Sequence, residues 1–419
     1  MKLTVVGGGS TYTPELIDGL LQMSDSFTID EIALMDTDEE RLEVVSTFAR
    51  RMVAAAGRAT VITATDDLAR AVDGASGVLI QLRVGGQSTR LSDETFPHGC
   101  GCIGQETTGA GGFAKALRTV PVVLDIADRV RALAGDRTWI VDFTNPVGIV
   151  TRGLLEAGHR AVGLCNVAIN FERNFAGILD VAPERIQLQH VGLNHLSWET
   201  AVLVDGVDQL PRLLDERIDD LARVFRITPE HLRIQQAVPS YYLHYYYAHD
   251  EVFRQQQVEP ARAEVVMGVE RELLDLYRDD TVTTKPQQLQ ERGGRYYSLA
   301  AIQLVASLLR DSGDVQVVNV RNNGTLPFLP DDAVIEAASR IGADGPVPLP
   351  IGRVDRSMEG LIAHVSAYEE LALEAALHGG RDRVVKAMLA HPLIGQYELA
   401  EGLADRLIAE NARFLPWAK

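Results

Sequence analysis

The strongest constraint on how this chain can fold is the alternation of strand-like and helix-like stretches through its first 165 residues. Leu3-Thr4-Val5-Val6 is a short apolar run that stops at Gly7-Gly8-Gly9. Pro14-Glu15-Leu16-Ile17-Asp18-Gly19-Leu20-Leu21 follows, with the apolar spacing of a helix and a proline suited to its first turn. Residues 31–35 read as a strand closing on Asp36, 41–56 as a helix, and 61–64, 77–82, 139–143 and 161–164 as further strands. Buried strands alternating with helices predict a parallel, doubly wound α/β sheet of Rossmann type. We expect that domain over residues 1–168, with a larger, closely packed mixed α/β lobe over 169–419. The second part reads mainly as helices at 210–225, 262–277, 299–310, 357–377, 381–389 and 394–411. Isolated strands are expected near 187–191, 199–204 and 316–320.

Composition excludes several classes. Of 419 residues, 46% are hydrophobic and 23% charged, which is folded rather than disordered chemistry. With 40 basic and 58 acidic residues, the net charge of −18 argues against non-specific binding to nucleic acid or an anionic membrane. It leaves room for a local basic pocket that takes a small anion. Three cysteines (Cys100, Cys102 and Cys165) build no disulfide framework, so a cytoplasmic setting is expected. The first residues lack the features of a secretory signal, and no apolar run is long enough to span a membrane.

Gly7-Gly8-Gly9-Ser10 lies where a strand gives way to a helix. Backbone without Cβ can approach a pyrophosphate there, and the helix start supplies free N–H donors. The dinucleotide fingerprint has a third glycine where this chain has Tyr12, so the match is Gly-x-Gly. Asp36 at the end of the second strand can bind both ribose hydroxyls and would repel a 2′-phosphate, which favours NAD over NADP. The plainer alternative is a tight turn with no ligand and an aspartate capping a loop.

Cys165-Asn166 ends another strand, on the edge where open α/β sheets bind ligands, and Gly192-Leu193-Asn194-His195-Leu196-Ser197-Trp198 follows later. One thiolate and one imidazole can hold a divalent metal and leave positions open for substrate oxygens. As residues alone, they read more readily as a buried thiol and a histidine packed beside Trp198. Cys100-Gly101-Cys102 is too tightly spaced for the usual metal knuckle and reads as a loop. Asn145, in Thr144-Asn145-Pro146, also sits on the binding edge. Tyr241-Tyr242-Leu243-His244-Tyr245-Tyr246-Tyr247 reads as core or interface, unless a cation lowers the pKa of one phenol enough to make it a base. Arg90, Arg262 and Arg292 each read as structural alone, but converging in one cleft they can bind a phosphate.

Taken together and in order, these stretches resemble glycoside hydrolase family 4, in particular its 6-phospho-β-glucosidase branch. The stretches are Gly7 to Glu15, Gly104-Gln105-Glu106-Thr107-Thr108-Gly109, Thr144-Asn145-Pro146, Cys165-Asn166-Val167, Gly192-Leu193-Asn194-His195, Arg292-Gly293-Gly294 and Arg321-Asn322-Asn323-Gly324. The family departs from two-carboxylate glycoside hydrolysis. The resemblance implies a fold like that of lactate and malate dehydrogenases. It implies that NAD⁺ oxidises the sugar C3 hydroxyl, a tyrosinate removes the C2 proton, and the aglycone is eliminated. Water then adds and the hydride returns, with no net redox change. It implies Cys165 and His195 as ligands of a Mn²⁺-type ion, Tyr242 as base with Tyr241 the competing choice, and Gly7, Gly9, Ser10 and Asp36 at the cofactor. It implies Asn145 and Asn166 at the sugar hydroxyls, and Arg90 and Arg262 at the 6-phosphate or lining the sugar site. The implied partners are a phosphorylated disaccharide or aryl 6-phosphoglucoside and further copies of the chain, as a homodimer or homotetramer.

Two positions depart from the pattern: His244 stands where the branch has Arg, and Ala168 where it has Pro. Asn166 after the cysteine, rather than His, favours a β-linked substrate. The alternative function is an NAD-dependent dehydrogenase of a small hydroxy compound, which the glycine turn and Asp36 alone would also fit.

Overall fold

The computed structural model describes residues 1–24, 27–293 and 296–418. Six parallel strands form the first part: β1 (Lys2–Val6), β2 (Glu31–Met35), β3 (Val61–Thr65), β4 (Gly77–Ile80), β5 (Trp139–Asp142) and β6 (Ala161–Gly163). Their spatial order is β3-β2-β1-β4-β5-β6, so the winding direction reverses between β1 and β4. β1 and β4 are buried almost throughout, as apolar strands covered by helices on both faces must be.

The helix Glu39–Ala55 starts where the Asp38 carboxylate accepts from the Arg41 N–H at 3.0 Å, a cap that contributes about 1 kcal/mol. The glycine-rich stretch after Gln105 does not stay a loop. It opens the helix Gly109–Ala134, whose first three turns are buried against its neighbours.

The second part contributes β7 (Ile186–Leu193), β8 (Leu196–Val204), β9 (Val207–Asp208) and β10 (Val238–Pro239), an antiparallel group built on the β7–β8 hairpin. It also contributes β11 (Val315–Arg321), β12 (Val334–Gly342) and β13 (Gly345–Pro348), which extend the first sheet antiparallel beyond β6. Among the described residues the main sheet therefore has nine strands in the order β13-β12-β11-β6-β5-β4-β1-β2-β3. The strands expected to be isolated are all paired, because a lone strand would leave its backbone polar groups without partners. The helix expected over 210–225 is broken at Arg217 into Leu210–Glu216 and Ile218–Phe225.

One apolar core runs from β1 through β12 to the C-terminal helices, so the sheet and core cross residue 168 without a gap. A smaller core joins the helix Val167–Leu179, including Phe171 and Phe175, to β7 and β8. No helix among the described residues is long and apolar enough to cross a membrane.

Candidate active site

The crevice beside β1 and β4 holds a cavity of about 500 Å³ lined by Gly7, Gly9, Ser10 and Asp36. Gly7 and Gly8 both donate to the Met35 carbonyl, at 2.9 and 2.8 Å, which draws the glycine turn against the end of β2. Gly7 has φ +90°, and a Cβ there would lie 2.5 Å from the Gln81 carbonyl oxygen. Only glycine fits that corner. The Gly9 N–H donates to Asp36 Oδ2 at 2.9 Å and the Asp38 N–H to Oδ1 at 3.1 Å, so backbone amides fix the Asp36 carboxylate at the cavity wall. The Gln87 side-chain oxygen, also in this wall, is buried without a hydrogen-bond partner among the described residues.

A second cavity of about 710 Å³ shares Ser10, Gln81, Leu82, Arg83 and Arg292 with the first, so the two are continuous. Arg90, Asn145, Asn166, Tyr242 and Arg262 all line it, although they lie on separate segments. The two arginines therefore converge. Arg262 donates to the Glu291 carbonyl at 2.5 Å, at the start of the helix Arg262–Arg278. Asn145 Oδ1 is buried and has no hydrogen-bond partner among the described residues. Arg292 is anchored on Thr11 Oγ1 at 2.8 Å and Glu270 at 3.3 Å, and Gly294 of its motif lies outside the described residues.

The charge of this cavity is organised around Glu106. Lys115 Nζ lies 2.7 Å and Arg90 Nη2 3.1 Å from its carboxylate, and Arg83 also pairs with it. Burial alone would raise the Glu106 carboxyl, but Arg83, Lys115 and Arg90 together hold it well below its ordinary range. Arg90 also pairs with Glu94 at 2.7 Å. A strongly acidic protein thus presents a cation-rich wall here. Glu106 stood in a singled-out motif. Arg83 and Lys115 carried no sequence signal, because only the packing of the helix Gly109–Ala134 brings Lys115 to the cavity.

Tyr242 and Tyr241 differ sharply in setting. Tyr241 is 53% exposed at the cavity mouth. Tyr242 stacks on the His195 ring, with centroids 3.6 Å apart and planes 8° from parallel. Burial pushes the Tyr242 phenol well above its ordinary pKa, Cys165, Tyr245 and Glu106 add to this, and Arg90 opposes it. His244 packs between Tyr241 and Tyr245, at 4.2 and 4.0 Å between rings, and burial lowers its pKa.

Cys165 and His195 lie behind Tyr242 and are not among the residues lining the second cavity. Cys165 follows β6 and also lines a separate cavity of about 450 Å³. The Asn194 side chain and the backbone of Val167 and Asn166 favour its thiolate. Burial nevertheless pushes the thiol far up, so without a cation it keeps its proton. His195 sits in the β7–β8 turn at φ +64°. Its Nδ1 lies 2.9 Å from Thr107 Oγ1, whose own hydroxyl donates to Gln105 Oε1 at 2.8 Å. Thr107 therefore accepts from Nδ1–H, which leaves the lone pair on Nε2. Burial pushes His195 down to about 4, so it is neutral at pH 7, the form that binds metals. A soft thiol, a neutral imidazole with a defined lone pair and a phenol in contact with that imidazole fit a divalent cation. Among the described residues no three His, Cys, Asp or Glu side chains are grouped to hold an ion on their own.

The last motif has a structural role. Asn322 donates to the carbonyls of Leu326, Leu329 and Pro330 at 3.0 to 3.1 Å and accepts from the Leu326 N–H at 2.7 Å, which closes the loop after β11.

Comparison with known proteins agrees with this geometry. Residues 2–181 match the Family 4 glycosyl hydrolase model, and residues 190–394 match the Family 4 glycosyl hydrolase C-terminal domain. A probable 6-phospho-beta-glucosidase of Bacillus subtilis is 37% identical over 99% of this chain and 97% of its own length. A 6-phospho-beta glucosidase structure from Thermotoga maritima, determined with manganese, NAD⁺ and glucose-6-phosphate, superposes with TM-score 0.92 at 35% identity, covering 99% of each chain. Malate dehydrogenase from Salinibacter ruber, at 17% identity and TM-score 0.55 over 91% of this chain and 99% of its own, shares the fold. Two consecutive family matches and kin aligned nearly end to end make this chain a member of glycosyl hydrolase family 4.

Proposed function

We propose that the chain hydrolyses 6-phospho-β-glucosides, using NAD⁺ and a divalent cation of the Mn²⁺ type without net redox change. The observation that carries the reading is the position of Tyr242, stacked on His195 and facing a cation-rich cavity continuous with the dinucleotide crevice. When bound, NAD⁺ supplies a reversible hydride acceptor for the C3 hydroxyl, and the cation supplies polarisation of the sugar oxygens.

The protein's own groups do the rest. Gly7, Gly9 and Ser10 bring backbone against the pyrophosphate, and Asp36 accepts from the ribose hydroxyls. Arg262, with Arg90 beside it, holds the 6-phosphate, while Asn145 and Asn166 take sugar hydroxyls. The buried, unpartnered Asn145 Oδ1 suits such a hydroxyl donor. Cys165 and His195 hold the cation, two protein donors that leave positions for sugar oxygens. Tyr242 removes the C2 proton. Its phenol is far too basic in the protein alone, so it acts only with positive charge beside it. Loss of the C2 proton expels the aglycone from C1, water adds, and the hydride returns.

The division of work is cofactor binding by residues 1–168 and substrate and metal binding with oligomerisation by 169–419, although Arg90, Asn145, Asn166 and Cys165 come from the first part. The β preference rests on Asn166 following Cys165 and on the names of the relatives. We assign the enzyme to the cytoplasm, acting as a homodimer or homotetramer. The test is hydrolysis of an aryl 6-phospho-β-glucoside, with the α-linked isomer alongside. Turnover that requires both NAD⁺ and Mn²⁺ and accumulates almost no NADH is expected. Stoichiometric NADH would instead favour the dehydrogenase reading that the glycine turn and Asp36 allow.

A further inference from the structure

Behind the Cys165–His195 pair lies a buried chain of polar groups that the reading above does not use. His190 on β7 is fully buried between two carboxylates, with Nδ1 2.6 Å from Glu199 Oε1 on β8 and Nε2 3.0 Å from Glu336 Oε2 on β12. Both ring nitrogens face carboxylate oxygens, so the ring is a charged imidazolium that donates to both. The other Glu336 oxygen, Oε1, accepts from Asn194 Nδ2 at 3.1 Å and from Asn319 Nδ2 at 3.0 Å. Asn194 directly precedes His195 in the β7–β8 turn, and its side chain also favours the Cys165 thiolate. Four strands, β7, β8, β11 and β12, and the β7–β8 turn thus share one buried network.

Stability alone does not account for this arrangement. Replacing buried ion networks with well-packed apolar side chains is often neutral or stabilising. The hydrogen bond from Asn194 to Glu336 ties this network to the turn that carries His195.

We propose that Glu336 is a positioning residue for the metal site, accepting from Asn194 and so holding the β7–β8 turn that presents His195. The inference rests on the reading of Cys165 and His195 as metal ligands. Partners of this kind orient a ligand and raise its affinity for metal, and losing one typically weakens binding about 10- to 100-fold.

The test uses the full-length chain and Mn²⁺ alone, with free ion followed by electron paramagnetic resonance and NAD⁺ binding as the check on folding. Glu336→Ala is expected to raise the Mn²⁺ Kd about 10- to 100-fold with NAD⁺ affinity unchanged. Glu336→Gln keeps an oxygen for Asn194 and is expected to recover most of the loss. If Glu336→Ala loses NAD⁺ binding through misfolding, Asn194→Ala carries the test, since it cuts the link to the turn without unpairing the buried ions, and the same weakening is expected. Wild-type Mn²⁺ affinity in the folded alanine variants, or a Gln variant as weak as the alanine one, would overturn the proposal. Cys165→Ser distinguishes the two levels: unchanged Mn²⁺ binding in that variant would overturn the metal reading, and this inference with it.

Discussion

In the dinucleotide crevice, the groups that face the ligand are mostly backbone: the glycine turn after β1, amides that pin Asp36, and the carbonyl of Gln81 that forbids a side chain at Gly7. In the adjoining cavity they are charged and aromatic side chains from several segments, many buried and paired, as Glu106 is with Arg83, Arg90 and Lys115; behind Cys165 and His195, outside the lining, Glu336 pairs with His190 and Asn194. The first region is a geometric device that needs little chemistry of its own. On the proposed function the second is an electrostatic device, in which a phenol that burial makes far too weak an acid is ionised by nearby cations. Binding of the cofactor and reactivity of the base should therefore respond to different substitutions.

The largest separation is expected at the tyrosine pair. Tyr242→Phe should lower kcat about 10²- to 10⁴-fold, the range for losing a positioned base, with NAD⁺ affinity intact. Tyr241→Phe, at the exposed mouth, should change kcat only slightly. Equal losses in steady-state kinetics would break the distinction between buried and exposed tyrosine.

Asp36→Ala should do the converse. Losing a charged acceptor of the ribose hydroxyls costs about 1.5 to 3 kcal/mol, or roughly 10- to 100-fold in the KM for NAD⁺, with kcat nearly unchanged. It should also narrow the preference over NADP⁺. Arg262→Ala should raise the KM for the phosphorylated substrate about tenfold while leaving NAD⁺ binding alone, and the unphosphorylated glucoside should be insensitive. A matching rise in the KM for NAD⁺ would place Arg262 in the wrong region.

The smallest effect concerns the buried ions. Burial opposes charge on His190, but Glu199 and Glu336 raise it to about 10, from an ordinary value of 6.5. A raised folded pKa contributes stability that is complete below the unfolded value and lost as pH rises through the folded one. The melting temperature should therefore fall by a few degrees between about pH 6.5 and pH 10. A Tm that rises across that window in calorimetry would contradict a charged His190.

Much of this was legible in the sequence where function is tied to strand ends. Gly7, Asp36, Asn145 and Cys165 follow β1, β2, β5 and β6, and parallel strands place such residues on one edge. What stayed hidden depended on long-range packing. The tyrosine run offers several equivalent phenols, and only the turn that brings His195 onto one of them separates Tyr242 from Tyr241. Lys115 sits in an apolar helix and carries no motif, and Glu336 reads as an ordinary strand residue until β12 pairs with β11 and packs near β7. The nine-stranded sheet was hidden for the same reason, since β11 reaches β6 through a single paired residue, Asn319 with Gly163.

The central claim is that Tyr242 takes the C2 proton of a sugar held between two regions built in different ways. It is tested most directly by running turnover of an aryl 6-phospho-β-glucoside in D₂O and examining the product by NMR. Deuterium at C2 in wild-type product, formed only with NAD⁺ present, is the predicted result. Product that forms with C2 still fully protonated would contradict the account.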